Sequence, residues 1–320
     1  MSGTIDPGCV RLRLAVVADR VGSVSVASER PVVAEVLHGR PADAAVKLVP
    51  LLFAVCGKAQ GRAAELALAA ARGRECAAHL DPAIQAEVMR EHLWRWLLDL
   101  PPLLGEAPDQ AEFGRLVRGI AGGRRDAVAD FLDGDRIATL GRRLEEMEGP
   151  VLSPACLLPR LDAATSLRLW PQLDPGFCAR PQWQGRAAET GAIARCPDVA
   201  PGSAFAARWL ARLEELRDWA ADNEKVGAGG TASAVQLAPG RGRALVDTAR
   251  GLLMHEIVLD GERIADYFIV APTEWNFHPQ SPVIGWLMGR DASNRAELQA
   301  FAAHAVAALD PCVRWELEWL

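Results

Sequence analysis

Residues 246–279 read VDTARGLLMHEIVLDGERIADYFIVAPTEWNFHP. From His255 onward two β-rich runs meet at Asp260-Gly261, a dipeptide that tolerates positive φ and therefore closes a hairpin well. Arg250-Gly251, Met254-His255 and Pro272-Thr273-Glu274-Trp275-Asn276 set a guanidinium, an imidazole, a hydroxyl and an amide at the ends of these runs. One at a time such groups satisfy local hydrogen bonds; together they can line a site.

Upstream, residues 11–28 (RLRLAVVADRVGSVSVAS) alternate on either side of Asp19 to Gly22, the pattern of a second hairpin with one buried face. From Pro31 to about Leu144 the spacing is helical, broken at Gly39-Arg40-Pro41, Asp81-Pro82, Pro101-Pro102 and Gly122-Gly123. Residues 149–202 are rich in Pro, Gly and Arg with little period. Phe205, Trp209, Leu213, Leu216 and Ala220 then mark one face of a helix that stops before a glycine loop, Gly227 to Gly230. Downstream of the quoted stretch, Trp275 to Gly289 reads as loop, and Arg295 to Leu309 as an alanine-rich helix delivering Asp310-Pro311-Cys312. The class is α+β, a mostly helical body with short β-hairpins from both chain ends, the termini meeting in one sheet. The expected organisation is one domain over 1–320: an N-terminal hairpin (1–30), a mainly helical part with irregular 149–202 (31–235), and a hairpin, loop and C-terminal helix (236–320).

With 320 residues, half of them hydrophobic, the chain can bury a full core, which excludes disorder. Lys and Arg number 35 against 41 Asp and Glu, a net charge of −6; that sign disfavours nucleic acid as a partner. No apolar run approaches the ~18 residues of a membrane span, and no export signal opens the chain, so a cytoplasmic protein without membrane insertion is expected. Seven cysteines at irregular spacing make no disulfide framework. Cys56, in LFAVCGKAQG, reads alone as a buried structural thiol or as one presented at a helix start. Cys312 follows the stiff Asp-Pro pair, and eight residues remain after it, which read as a solvated tail or as a chain end placing a thiol.

The order and spacing of residues 246–279 resemble the E-A-P-R-G…H…DG-I…VPTTWN-x-x-P region of nickel-iron hydrogenase large subunits. Further similarity runs along nearly the whole chain: the opening hairpin, EVLHGRPADA before Cys56, the helix MREHLWRWLLDL, WQGRAAETGAIAR, and the terminal LDPC. The family carries R-x-C-G-x-C near its start and D-P-C-x-x-C-x-x-H at its end, four thiolates that hold nickel and iron. Here two remain. Cys312 matches the first cysteine of the terminal motif, with Trp315 in place of the second and Glu318 in place of the histidine. Aligned on Cys-Gly, Cys56 is the first cysteine of the other motif and Ala59 replaces the second; counted without gaps from Gly39-Arg40, Cys56 is the second and Phe53 replaces the first. The former alignment, which keeps the Cys-Gly pair, is preferred. Pro7 stands where the family has the glutamate of its proton route, and the family's magnesium ligands are not recognisable.

The resemblance implies a hydrogenase large-subunit-like fold with an iron site but no nickel centre. Metal ligands are then Cys56 and Cys312. Arg250, Pro272 and Thr273 match groups that surround the cyanide ligands of the iron, and His255 joins them as a cofactor-binding residue; Arg250→Ala and Thr273→Val are expected to weaken iron retention without unfolding the chain. The type implied is the large-subunit-like accessory protein of hydrogenase maturation, as in HupK and HoxV: not an enzyme but a scaffold and chaperone. It would transiently hold an Fe(CN)2CO fragment for the hydrogenase large subunit, with other maturation proteins as further partners. The alternatives are a divergent hydrogenase subunit with a remodelled metal site, and a metal-free assembly chaperone. Because only Trp319 and Leu320 follow Glu318, no C-terminal processing is expected.

Overall fold

The computed structural model describes residues 8–29, 33–53, 55–150, 156–170, 172–198, 203–223 and 229–320. Pro7, and Gly227 of the glycine loop, lie outside them. The strands are β1 (Cys9–Val17), β2 (Arg20–Glu29), β3 (Cys76–Leu80), β4 (Thr231–Ala238), β5 (Arg241–Thr248), β6 (Gly251–Asp260), β7 (Arg263–Val270) and β8 (Arg314–Trp319).

Both hairpins read from the sequence form, but in different sheets. β1 and β2 pair antiparallel, and β8 lies parallel to β1, Cys9 opposite Arg314 through Leu14 opposite Trp319, giving the order β2-β1-β8. The chain ends do share a sheet; the C-terminal partner is the last strand and not the 255–272 hairpin. Residues 314–319 are thus no solvated tail. Trp315, Leu317 and Trp319 pack on the cluster of the Arg295–Leu309 helix, while Glu318 takes Arg11 at 2.6 Å and Arg13 at 2.7 Å on the other face.

The β6–β7 hairpin belongs to an antiparallel five-stranded sheet of order β3-β4-β5-β6-β7. β4 and β5 fall in a stretch for which the sequence signals no strands. The reason is burial on both sides. Val235, Leu245, Leu252 and Met254 face a cluster with Trp170, Leu173 and Trp275, and Ala232, Ala244, Val246, Leu253 and Ile257 face the helical core. Two buried faces erase the polar alternation by which a strand is recognised.

Four helices frame one side of this sheet: α1 (Val33–Leu37), α2 (Ala42–Leu52), α3 (Gly57–Ala71) and α4 (Pro82–Trp94). Their core faces are small in α3, where Ala59, Ala63, Ala67 and Ala70 are fully buried, so the helix lies very close to the strands. Gly242 on β5 permits this, since a Cβ there would stand 2.1 Å from the backbone nitrogen of Ala71. Residues 149–198 are largely irregular where described, with short helices at Ala163–Leu169, Pro175–Ala179 and Ala192–Arg195, and the expected helices appear at Ala204–Ala220 and Arg295–Leu309. The stretch read as loop, Trp275 to Gly289, starts in the last two residues of the short helix Pro272–Asn276 and contains another, Pro282–Leu287. Among the described residues no helix is long and apolar enough to cross a membrane.

Candidate metal centre

Two helix ends deliver the two thiols. α2 stops at Leu52, Phe53 turns extended (φ −127°, ψ 97°), and Cys56 is the N-cap of α3. The free N–H groups of that first turn are not capped by the cysteine. The Glu87 carboxylate of α4 takes the amides of Lys58 (3.0 Å) and Ala59 (3.1 Å), which leaves the Cys56 sulfur available. Cys312 arrives from the opposite end of the chain: Asp310, left-handed at φ 56°, ends the Arg295–Leu309 helix, and Pro311 turns the chain toward β8. Cys56 and Cys312 line one cavity of about 1360 Å³, close enough that charge on Cys312 is felt at Cys56. Its wall is mostly apolar, with Leu52, Phe53, Trp94, Phe113, Phe268 and Ile269 prominent.

The order of Cys56 within its motif is legible from this geometry. Phe53 and Cys56 both line the cavity, whereas Ala59 is fully buried in the core. Position 59 is in the helical core and off the cavity wall, so the ungapped alignment suits the cavity better than the alignment on Cys-Gly.

Charge is concentrated beside the thiols. Arg250 is 5% exposed and reaches the Glu91 carboxylate at 3.1 Å and Asp310 at 3.2 Å. Asp310 is shared with Arg95 (2.6 Å) and Arg212 (3.8 Å). Burial would raise the Asp310 carboxyl, but Arg250, Arg95 and Arg212 hold it well below the usual carboxylate range. Arg95 begins a π-helical turn, Arg95–Asp99, that continues α4 and directs this side chain at Asp310. Arg90, on the preceding turn, donates to the carbonyl of Val55 (3.2 Å) next to Cys56. Four arginines, Arg90, Arg95, Arg250 and Arg314, therefore line the cavity that holds the sulfurs, with Glu91 among them. Burial, then the neighbouring Cys312, push the Cys56 thiol up to about 12 against the pull of Arg250 and Gln60.

The Arg-Gly pair has a steric cause. Gly251 sits at φ +128°, and a Cβ there would meet Thr190 at 2.3 Å. Asn276 ties the region together, accepting from the Thr190 amide at 2.9 Å and donating to the carbonyls of Arg250 (3.4 Å) and Leu309 (3.2 Å).

Of the residues picked out from the sequence, Cys56, Cys312 and Arg250 meet at the cavity. Thr273 lies just behind it: its hydroxyl accepts from the Cys312 amide (3.4 Å) and stands 3.3 Å from the Cys312 sulfur, so its role in this structure is to anchor that cysteine. Pro272 is buried in the first turn of its short helix and is absent from the cavity wall. His255, expected among the cofactor-binding residues, also stands off the wall. It is fully buried, and both its ring nitrogens are taken, by Tyr267 and Gln60, each at 2.8 Å. Trp315 and Glu318 belong to β8, outside the cavity lining. Among the described residues no group of three or more His, Cys, Asp or Glu side chains is placed to hold a metal ion. Sequence reasoning missed Arg90, Glu91, Arg95 and Asp310, although each lies in a stretch that carries the family resemblance. It also passed over Cys178, whose thiol lies on the cavity wall and is pushed up to about 12 by burial.

Burial pushes the His255 imidazole down to about 3 from an ordinary 6.5. Between these values the unfolded chain binds a proton that the folded chain does not, so stability falls as pH drops below about 6.5, by ~2 kcal/mol from this group between pH 7 and 5. Asp247, pushed up to about 6 by burial, works oppositely between about pH 6 and 4. The readout is therefore the difference between wild type and His255→Phe in denaturant melts at pH 7, 6 and 5. Wild type should lose stability relative to the variant as pH falls; parallel curves would mean that the imidazole titrates normally.

The family model described as nickel-dependent hydrogenase matches residues 192–313. The chain is similar to the hydrogenase expression/formation protein HoxV of Cupriavidus necator, 33% identical with 94% of each chain covered. It is similar also to the hydrogenase expression/formation proteins HupK of Azotobacter vinelandii (30% identical; 90% of this chain, 91% of that one) and of Bradyrhizobium diazoefficiens (28%; 91% and 90%). Among solved structures, the nickel-iron-selenium hydrogenase of Desulfomicrobium baculatum superposes with a TM-score of 0.61 over 93% of this chain and 95% of that one. At 15% identity this likeness concerns the fold alone.

Proposed function

The chain belongs to the family of hydrogenase expression/formation proteins that includes HoxV and HupK, and from that premise we propose that it is a maturation scaffold, one that holds an Fe(CN)2CO fragment between Cys56 and Cys312 for delivery to the hydrogenase large subunit. The observation that carries this reading is the meeting of two thiols, from opposite ends of the sequence, in one open cavity lined also by four arginines. Two sulfur donors suit an iron that brings the rest of its ligands with it. Ferrous iron with two cyanides, a carbonyl and two thiolates has a net double negative charge, and the arginines of the cavity, which outnumber the Glu91 and Asp310 carboxylates that pair with them, would offset part of it. Loading must displace the thiol proton of Cys56, so it is favoured as pH rises. A two-thiolate grip also leaves the fragment exchangeable, as a scaffold requires.

Catalysis of hydrogen chemistry is not part of this reading. Of the positions matched to the remaining cysteines and the histidine, Trp315 and Glu318 lie in the terminal sheet, and Phe53 presents a ring to the cavity. The scaffold would work in the cytoplasm, with the hydrogenase large subunit and other maturation proteins as partners. The test is an infrared spectrum of protein purified anaerobically from a host that matures the hydrogenase. Carbonyl and cyanide stretches, with iron and without stoichiometric nickel, are expected; silence in that window would favour a metal-free chaperone.

A further inference from the structure

His255 is read from the sequence as part of the binding site, and the fold puts it behind that site instead, in a polar chain with one defined direction. On the α3 side of the sheet, Tyr267 of β7 lies opposite Ile257 of β6, which makes His255 its diagonal neighbour. The Tyr267 oxygen is 2.8 Å from His255 Nδ1; His255 Nε2 is 2.8 Å from Gln60 Oε1; Gln60 Nε2 is 3.6 Å from the Cys56 sulfur. An amide oxygen can only accept, so Nε2 of the imidazole carries the proton. Burial keeps the ring neutral, leaving Nδ1 to accept from the tyrosine hydroxyl. Gln60 is 2% exposed and one helical turn beyond Cys56 on α3, so its amide nitrogen is directed at the sulfur. Each donor in the series, O–H to N, N–H to O, N–H to S, points toward Cys56.

We propose that Gln60 is a positioning residue for Cys56, oriented by His255 and Tyr267, whose amide N–H holds the sulfur in its metal-binding direction and tunes how much electron density it gives to iron. A purely structural role for the buried polar groups would be met by the Tyr267–His255–Gln60 bonds alone; the third bond, to sulfur, is what links them to the site. Hydrogen bonding to a thiolate weakens its donation to the metal and so makes the grip looser, in keeping with a scaffold that must let its cargo go. The inference rests on Cys56 being an iron ligand, and its test separates the two ideas.

In metal-free wild-type protein, nitrogen-15 NMR should find His255 with its proton on Nε2. In the iron-loaded state, Gln60→Met, which removes the amide while keeping the length of the side chain, should shift the carbonyl and cyanide stretches to lower frequency, because the sulfur regains donor strength. His255→Phe keeps the amide but not its anchor, and should give broadened, partly shifted bands. Unshifted bands in a folded, loaded Gln60→Met protein would overturn the proposal, as would a proton on Nδ1 of His255 in wild type, which reverses the whole chain. Should wild type carry no carbonyl or cyanide bands while His255 holds its proton on Nε2, the iron reading fails and the orienting chain stands.

Discussion

Serine at Cys56 or at Cys312 is expected to remove the carbonyl and cyanide bands entirely and to stall maturation of the hydrogenase. A serine hydroxyl is a harder donor than a thiolate and does not ionise near neutral pH, so either change leaves the iron a single soft ligand from the protein. The fold should survive, because both cysteines are half-buried in a large open cavity and neither is in a disulfide. Far-ultraviolet circular dichroism and the denaturant midpoint should therefore match wild type while iron content falls to background. Serine at Cys76, Cys156 or Cys196, which are not on the cavity wall, should change neither. Cys178→Ser is the sharper control: its thiol faces the same cavity, yet the reading assigns the iron to Cys56 and Cys312, so the bands should persist. Iron retained by the Cys56→Ser, Cys312→Ser double variant would end the assignment.

Arg250→Ala should have the largest effect on stability, and here the structure revises the expectation from sequence that this change would spare the fold. The guanidinium is ion-paired with Glu91 and Asp310, themselves 7% and 3% exposed along their side chains. Removing one partner of a buried pair costs about 3 to 5 kcal/mol, because the remaining charges have lost the group that offset their desolvation. Asp310 keeps Arg95 and Arg212, and Glu91 keeps Arg90 at 2.7 Å, so a loss near ~3 kcal/mol is expected. It is read from the urea midpoint of metal-free protein. Asp310→Asn should cost at least as much, since it takes the shared carboxylate from Arg250, Arg95 and Arg212 at once, while Arg250→Lys, which keeps the charge, should recover part of the loss. An Arg250→Ala midpoint equal to wild type would mean that the network is solvated and does not bear on the site.

The periodic elements and the chemical inventory are legible in the chain alone. The Asp260-Gly261 hairpin and the helix over Arg295–Leu309 stand where spacing and turn residues put them, because these features are local: a turn residue needs only its own φ, and an amphipathic face needs only its period. The identity of the two thiols and of Arg250 was equally legible, through motifs whose residues are contiguous. Tertiary structure decided what depends on distant segments. β4 and β5 were hidden because both their faces are buried, and β8 because a six-residue strand at a chain end gains its meaning only from β1, some three hundred residues earlier. The sequence could pair Cys56 with Cys312 only through resemblance; what brings them to one wall is the placing of the start of α3 and the end of the Arg295–Leu309 helix at the same cavity. His255 looked like a ligand because its type is right for one. Only the fold shows that Tyr267 and Gln60 occupy both its nitrogens, since a side chain's partners are set by what packs against it and not by its neighbours in the chain.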